Sequence, residues 1–259
     1  MQVEQLKKIT EDLLDPFFEA GEEAKRYIKK GIKITIKPDK SPVTDGDIAV
    51  DKILRTNISK ITPNIPIISE ETVNLKVENS FKTFWLIDPI DGTREYIKKK
   101  DEYTLNAALI IDKKPAIGII FAPEKKRMFF SYGDQKAYQI IDNKEVILSC
   151  QKKTKKNKVF ALTNSTEPSE DVLKILKKNN ANDFTKVSSS YKFCLIAAGE
   201  ADIYTCRARA YEWDIAAGHA IVKHAGGIFQ NINGEEILYG KKDYKNPPLL
   251  VKRSKQLHL

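Results

Sequence analysis

At 259 residues, with 41% hydrophobic and 31% charged side chains, the chain can bury a substantial core as one large domain or as two closely packed halves. The composition is that of an ordinary globular protein, and no apolar run approaches the roughly 20 residues that span a bilayer. A net charge of +9 invites a nucleic-acid reading, but much of the lysine lies in short polar runs (Lys98-Lys99-Lys100, Lys152-Lys153 with Lys155-Lys156, Lys241-Lys242) that read as solvated loop tips, so no obligatory nucleic-acid partner is expected.

Met1 to Lys8 lacks the apolar centre of a signal peptide, and the expected location is the cytoplasm or the cytoplasmic face of the inner membrane. From residue 3 to about 30, Leu6, Ile9, Leu13, Phe17, Ala20, Ala24 and Ile28 recur at spacings of three and four, which predicts an amphipathic helix that Pro16 kinks or splits. Lys37 to Pro42 reads as a loop. A second helix opens at Val43-Thr44-Asp45-Gly46-Asp47, where Thr44 or Asp45 is a suitable cap and Asp47 lies in the first turn. Ile65 to Ile68 is a short strand ending in Ser69-Glu70-Glu71.

Phe84 to Ile87 reads as a buried strand, and Pro89 should end it in a turn. That turn, Asp88-Pro89-Ile90-Asp91-Gly92-Thr93, offers two carboxylates, a free carbonyl at Ile90 and a hydroxyl, a donor set suited to hard cations such as Mg2+. Asp-Pro and Asp-Gly also occur simply as turn residues. If the strands before Glu70 and Asp88 are neighbours, both carboxylate sets meet at one sheet edge. Five β-type runs between Thr104 and Leu148 form an antiparallel meander.

The polar run Gln151 to Asn157 is the expected boundary between an α+β half (1–150) and an α/β half (151–259). Beyond it strand and helix alternate up to a helix from Trp213 to Ala225, closed by Gly226-Gly227. Glu212-Trp213-Asp214 opens that helix; Asp214 there either serves the helix dipole or joins an acidic site. Cys150, Cys194 and Cys206 are too few and too irregular for a disulfide framework, and packing roles are expected for Cys194, Cys206, His219 and His224.

Taken together, Ser69-Glu70-Glu71, Asp88 to Thr93, and Glu212-Trp213-Asp214 with Ala216-Ala217-Gly218 resemble the lithium-sensitive, Mg2+-dependent phosphatases of the inositol monophosphatase superfamily, over nearly the whole chain. Ser41 to Asp47, Arg94-Glu95-Tyr96-Ile97 and Glu102 to Asn106 are most similar to its 3'(2'),5'-bisphosphate nucleotidase branch. The resemblance implies an alternating α-β-α-β-α layered sandwich with two or three Mg2+ ions at the junction of the halves. Metal ligands carried over are Glu70, Asp88, the Ile90 carbonyl, Asp91 and Asp214, with Asp88 bridging two ions; the first half would hold most of them and the second Asp214. Asp47 and Thr93 would polarise the attacking water, assisted by Glu70 through a metal.

On the substrate side, Gly92, Thr93, Ser189, Lys192 and Asp214 fit contact positions. The branch usually carries Tyr-x-Arg where this chain has Tyr204-Thr205-Cys206-Arg207, so Arg207, or Arg209, would have to substitute. The implied reaction is removal of the 3'-phosphate of adenosine 3',5'-bisphosphate, a by-product of sulfate activation or carrier-protein modification, by a monomer or homodimer. An inositol-phosphate or sugar-phosphate phosphatase, and a non-catalytic binder of phosphate ligands or nucleic acid, are the alternatives.

Overall fold

Leu6, Leu13, Phe17, Ala20 and Ala24 are buried along one side of helix α1, Val3–Lys30, in a computed structural model that describes residues 1–75, 80–151, 158–255 and 257. Pro16 neither splits nor ends this helix; it forfeits a backbone hydrogen bond, while the apolar stripe on both sides of it stays seated. The expected loop at 37–42 is the turn of a hairpin, in which β1 (Ile34–Ile36) pairs antiparallel with β2 (Pro42–Thr44). Pro42 is tolerated as the first residue of its strand. Helix α2, Asp45–Ile61, follows directly and is capped by Thr44.

The first sheet has seven strands in chain order: β3 (Ile67–Ser69), β4 (Phe84–Asp91), β5 (Thr104–Ile111), β6 (Lys114–Ala122), β7 (Arg127–Ser131), β8 (Ala137–Ile141) and β9 (Lys144–Ile147). β3 and β4 are parallel and the rest form the expected antiparallel meander. A one-turn helix, α3 (Thr93–Ile97), leads from β4 to β5. The second sheet comprises β10 (Phe160–Thr163), β11 (Asp183–Lys186), β12 (Ile203–Cys206), β13 (Ile228–Asn231) and β14 (Leu249–Lys252), ordered β11-β10-β12-β14-β13. Helices α4 (Glu170–Lys178), α5 (Tyr191–Ala197) and α6 (Glu212–His224) lie among its strands in sequence.

Strand alternation sorts β4 between two cores. Trp85 and Ile87 pack with Leu13, Phe17, Val50 and Leu54 of α1 and α2, whereas Phe84 and Leu86 face Phe193, Ile196, Ala217 and Ile221 of α5 and α6. The second sheet closes over α5 and α6 through Tyr204, Phe229 and Val251. On its other face Val172 and Leu176 of α4 meet Ala161 and Ile203. The layering is therefore α-β-α-β-α, as expected. Small residues let α6 sit close: a Cβ at Gly118 would lie 2.4 Å from the Ala217 carbonyl oxygen, and one at Gly218 would lie 2.2 Å from the Phe193 ring. Within the run expected to divide the chain, 152–157 lie outside the described residues. Among the described residues no helix is long and apolar enough to cross a membrane.

Candidate active site

The acidic corner depends on a register shift. β4 does not stop at Pro89 but continues to Asp91, with Asp88 opposite Asn106 and Asp91 opposite Thr104. Three steps on one strand therefore match two on the other, which is a bulge, and a bulge accommodates a proline that cannot donate to the ladder. Side chains three apart on a regular strand point to opposite faces. The extra residue restores parity, so Asp88 and Asp91 share a face. β3 runs parallel beside β4, and the Glu70 N–H donates to the Ile87 carbonyl at 3.1 Å, which sets the Glu70 carboxylate next to Asp88.

From the other half of the chain, the first turn of α6 supplies Asp214. Ligand oxygens of Glu70, Asp88 and Asp214 all lie within 4.8 Å of one another. Asp88 is 2% exposed, and its Oδ1 has no hydrogen-bond partner. Burial, and then the charges of Glu70, Asp91, Asp214 and Glu71, push its carboxyl well above the usual range. Burial and the charges of Asp91 and Glu70 do the same to Asp214. Asp214 Oδ2 accepts the Tyr211 N–H at 2.8 Å. Asp91 Oδ2 is held at 2.7 Å by Ser190 Oγ, which in turn accepts from Asn106 Nδ2 at 3.1 Å.

Asp47 is 1% exposed and divides its oxygens between two threonines. Oδ2 accepts the Thr44 N–H at 2.9 Å together with the Thr44 hydroxyl, while Thr93 Oγ1 lies 3.4 Å from Oδ1. Burial, opposed by the Thr44 hydrogen bonds, raises its carboxyl to about 6. Thr93 Oγ1 also reaches the Ile90 carbonyl at 3.1 Å, so that hydroxyl stands between the proposed base and a proposed ligand. Lys37, carried over the corner by the β1–β2 hairpin, pairs with Glu70 at 3.1 Å and with Glu71 at 2.8 Å. Burial works against its charge, but the two glutamates outweigh that and raise its pKa. Sequence reasoning missed Lys37 and Ser190. The first is one lysine in a lysine-rich loop, and the second stands in the run Ser188-Ser189-Ser190, where residue type alone does not separate it from Ser189.

A cavity of about 420 Å³ opens above the acids, lined by Glu70, Asp91, Thr93, Asp214, Ser189 and Lys192 among others. Gly92 borders it with φ +92°, and a Cβ there would crowd the Glu102 carbonyl at 3.1 Å. Ser189 faces it with φ 52°, a left-handed conformation of the kind that clusters at functional sites. The Lys192 ammonium is turned inward and donates to the Ser189 carbonyl. Arg207 pairs with Asp171 at 2.7 Å and is not among the lining residues, whereas Arg209 is. His219 and His224, with pKa values lowered by burial to about 3 and about 4, bond Tyr239 and Ser131. All three cysteines are buried and free, and burial pushes the Cys150 thiol up to about 12.

Residues 5–258 match the inositol monophosphatase family. The chain belongs to that family. It is 38% identical over 215 residues to the 3'(2'),5'-bisphosphate nucleotidase CysQ of Buchnera aphidicola, covering 82% of this chain and 79% of that protein. The Salmonella typhimurium protein of the same name is 33% identical over 224 residues, 86% of this chain and 89% of its own. Among solved structures, CysQ from Bacteroides thetaiotaomicron superposes with a TM-score of 0.75 at 30% identity, covering 93% of this chain and 95% of that one.

Inositol monophosphatases depend on metal ions, and the donor set here fits such ions. An all-oxygen group of Glu70, Asp88 and Asp214 around a buried oxygen that lacks a partner is what a hard divalent cation satisfies.

Proposed function

We propose that this protein is a Mg2+-dependent phosphomonoesterase that hydrolyses the 3'-phosphate of adenosine 3',5'-bisphosphate to give AMP and phosphate. The unpartnered Asp88 Oδ1 beside Glu70 and Asp214, under a cavity edged by cationic side chains, carries the reading. The CysQ relatives, matched over most of their length, support the substrate class.

Glu70, Asp88 and Asp214 would hold the ions, two or three in number, with Asp91 and the Ile90 carbonyl completing the set. When bound, Mg2+ polarises the phosphoryl group and acidifies a water. The chain's own part is proton handling and alignment. Thr44 occupies Asp47 Oδ2 and leaves Oδ1 for the Thr93 hydroxyl. Once that hydroxyl turns its hydrogen toward Asp47, its oxygen can accept a hydrogen bond from water, and the proton passes toward Asp47 as the water attacks phosphorus. The P–O bond to the 3'-oxygen breaks in line, and the leaving alkoxide takes a proton from solvent. Ser190 steadies Asp91, and Gly92 lets the chain approach the phosphate. We also infer inhibition by Li+, a cytoplasmic location and a role in clearing this by-product of sulfate activation.

Parallel phosphate-release assays with adenosine 3',5'-bisphosphate, inositol monophosphate and fructose bisphosphate test the reading. The nucleotide should have the highest kcat/KM. A clear preference for inositol monophosphate would support the second reading, which the burial of Cys206 in β12 favours, since the usual arginine is lost there. No turnover together with steeply salt-dependent RNA binding would indicate a binder instead.

A further inference from the structure

Four cationic side chains border the cavity: Arg94, Lys186, Lys192 and Arg209. Two are already engaged. Lys192 is 9% exposed; its ammonium donates to the Ser189 carbonyl and lies 4.9 and 5.3 Å from the ring centroids of Phe193 and Tyr204. Lys186 pairs with Glu95 at 3.5 Å. Among the described residues, Arg94 and Arg209 have no side-chain hydrogen bond or ion pair. Arg94 directly follows Thr93 in α3, beside the residue to which the proposed reaction assigns the scissile phosphate. Arg209 enters from the opposite half of the chain, on the segment between β12 and α6, and its charge is felt at the Tyr204 phenol, another lining group.

Its neighbours cannot take its place. Cys206 is 3% exposed and paired with Leu249 inside the sheet, and Arg207 is committed to Asp171 of α4. A phosphate dianion far from the metal corner needs a cation that is not already spent. A guanidinium supplies two parallel donors in a planar fork that matches phosphate oxygens.

We propose that Arg209 determines specificity by binding the substrate's second, non-scissile phosphate. The inference rests on the bisphosphate reading above. The test compares kcat/KM for adenosine 3',5'-bisphosphate and for adenosine 3'-monophosphate, which has no 5'-phosphate, in wild type, Arg209→Ala, Arg209→Lys and Arg207→Ala. Arg209→Ala should lower kcat/KM for the bisphosphate on the order of 10- to 100-fold, mainly through KM, as expected for losing a charge-assisted hydrogen bond. The monophosphate should change by less than about 2-fold. Arg209→Lys should restore only part of the loss, because an ammonium keeps the charge but not the fork. Equal losses on both substrates, no loss on either, or a bisphosphate-selective loss in Arg207→Ala instead would overturn the assignment. If wild type itself does not distinguish the two substrates, the bisphosphate reading fails and takes this inference with it.

Discussion

Two buried carboxylates in this molecule have opposite surroundings. Glu212 in the first turn of α6 is fully buried; its oxygens accept the Gly240 N–H at 2.9 Å, the Lys241 N–H at 3.0 Å and the Lys241 ammonium at 2.6 Å. Asp88, equally inaccessible, has an oxygen with no partner and acids for neighbours. Burying an unpaired charge is expensive, and a fold keeps one only where something from outside completes it. Glu212 is finished by the chain, which makes it structural. In the proposed reading Asp88 is completed by a cation.

The sharpest break of that contrast is Asp88→Asn. Turnover should fall at least about 10³-fold, while the metal-free protein melts at the same or a higher temperature because a repulsive charge is gone. Phosphate release and thermal melts with and without Mg2+ check both halves, and near-wild-type turnover would contradict the role given to Asp88. Glu212→Gln should act the other way round. It leaves Lys241 poorly paired and should cost on the order of 3 kcal/mol in urea unfolding, with the Mg2+ requirement of the remaining folded enzyme unaltered.

Thr93→Ala should lower kcat by about 100-fold yet preserve the rise in melting temperature on adding Mg2+. Losing that rise would make Thr93 part of metal binding rather than proton handling. The mildest test concerns the buried neutral side chains behind the site. The His224 pKa is depressed from 6.5 to about 4 by burial, so the unfolded chain takes up its proton first as pH falls. Its stabilising contribution is complete above pH 6.5 and is lost as pH falls toward 4, at no more than about 1.4 kcal/mol per pH unit. The stability advantage of wild type over His224→Gln should therefore shrink between pH 7 and pH 4.5; parallel pH curves would argue that His224 is already solvated.

Most elements were legible because each is a local pattern. The stripe of α1, the Thr44 cap, the meander from Thr104 to Ile147 and the glycine stop after α6 each depend on a few adjacent residues. The meeting of Glu70 with Asp88 followed from strand adjacency, while the layer order came only with the family resemblance. What escaped was non-local. Pro89 signals a turn by its chemistry, and only the pairing with β5 shows it to be a bulge. Lys37 reaches the acids because a hairpin folds over them. Nothing in Arg207-Ala208-Arg209 says which guanidinium faces the cavity; Asp171, 36 positions earlier than Arg207, decides it.

The bulge in β4 also means that the corner is written in strand register as much as in residue identity. An unbroken ladder to β5 over the same residues would leave every acid in the chain, but it would turn Asp91 to the apolar side of the sheet, among Trp85 and Ile87. Loss of the bulge is therefore as damaging as loss of a ligand, and an inventory of side chains would not reveal it.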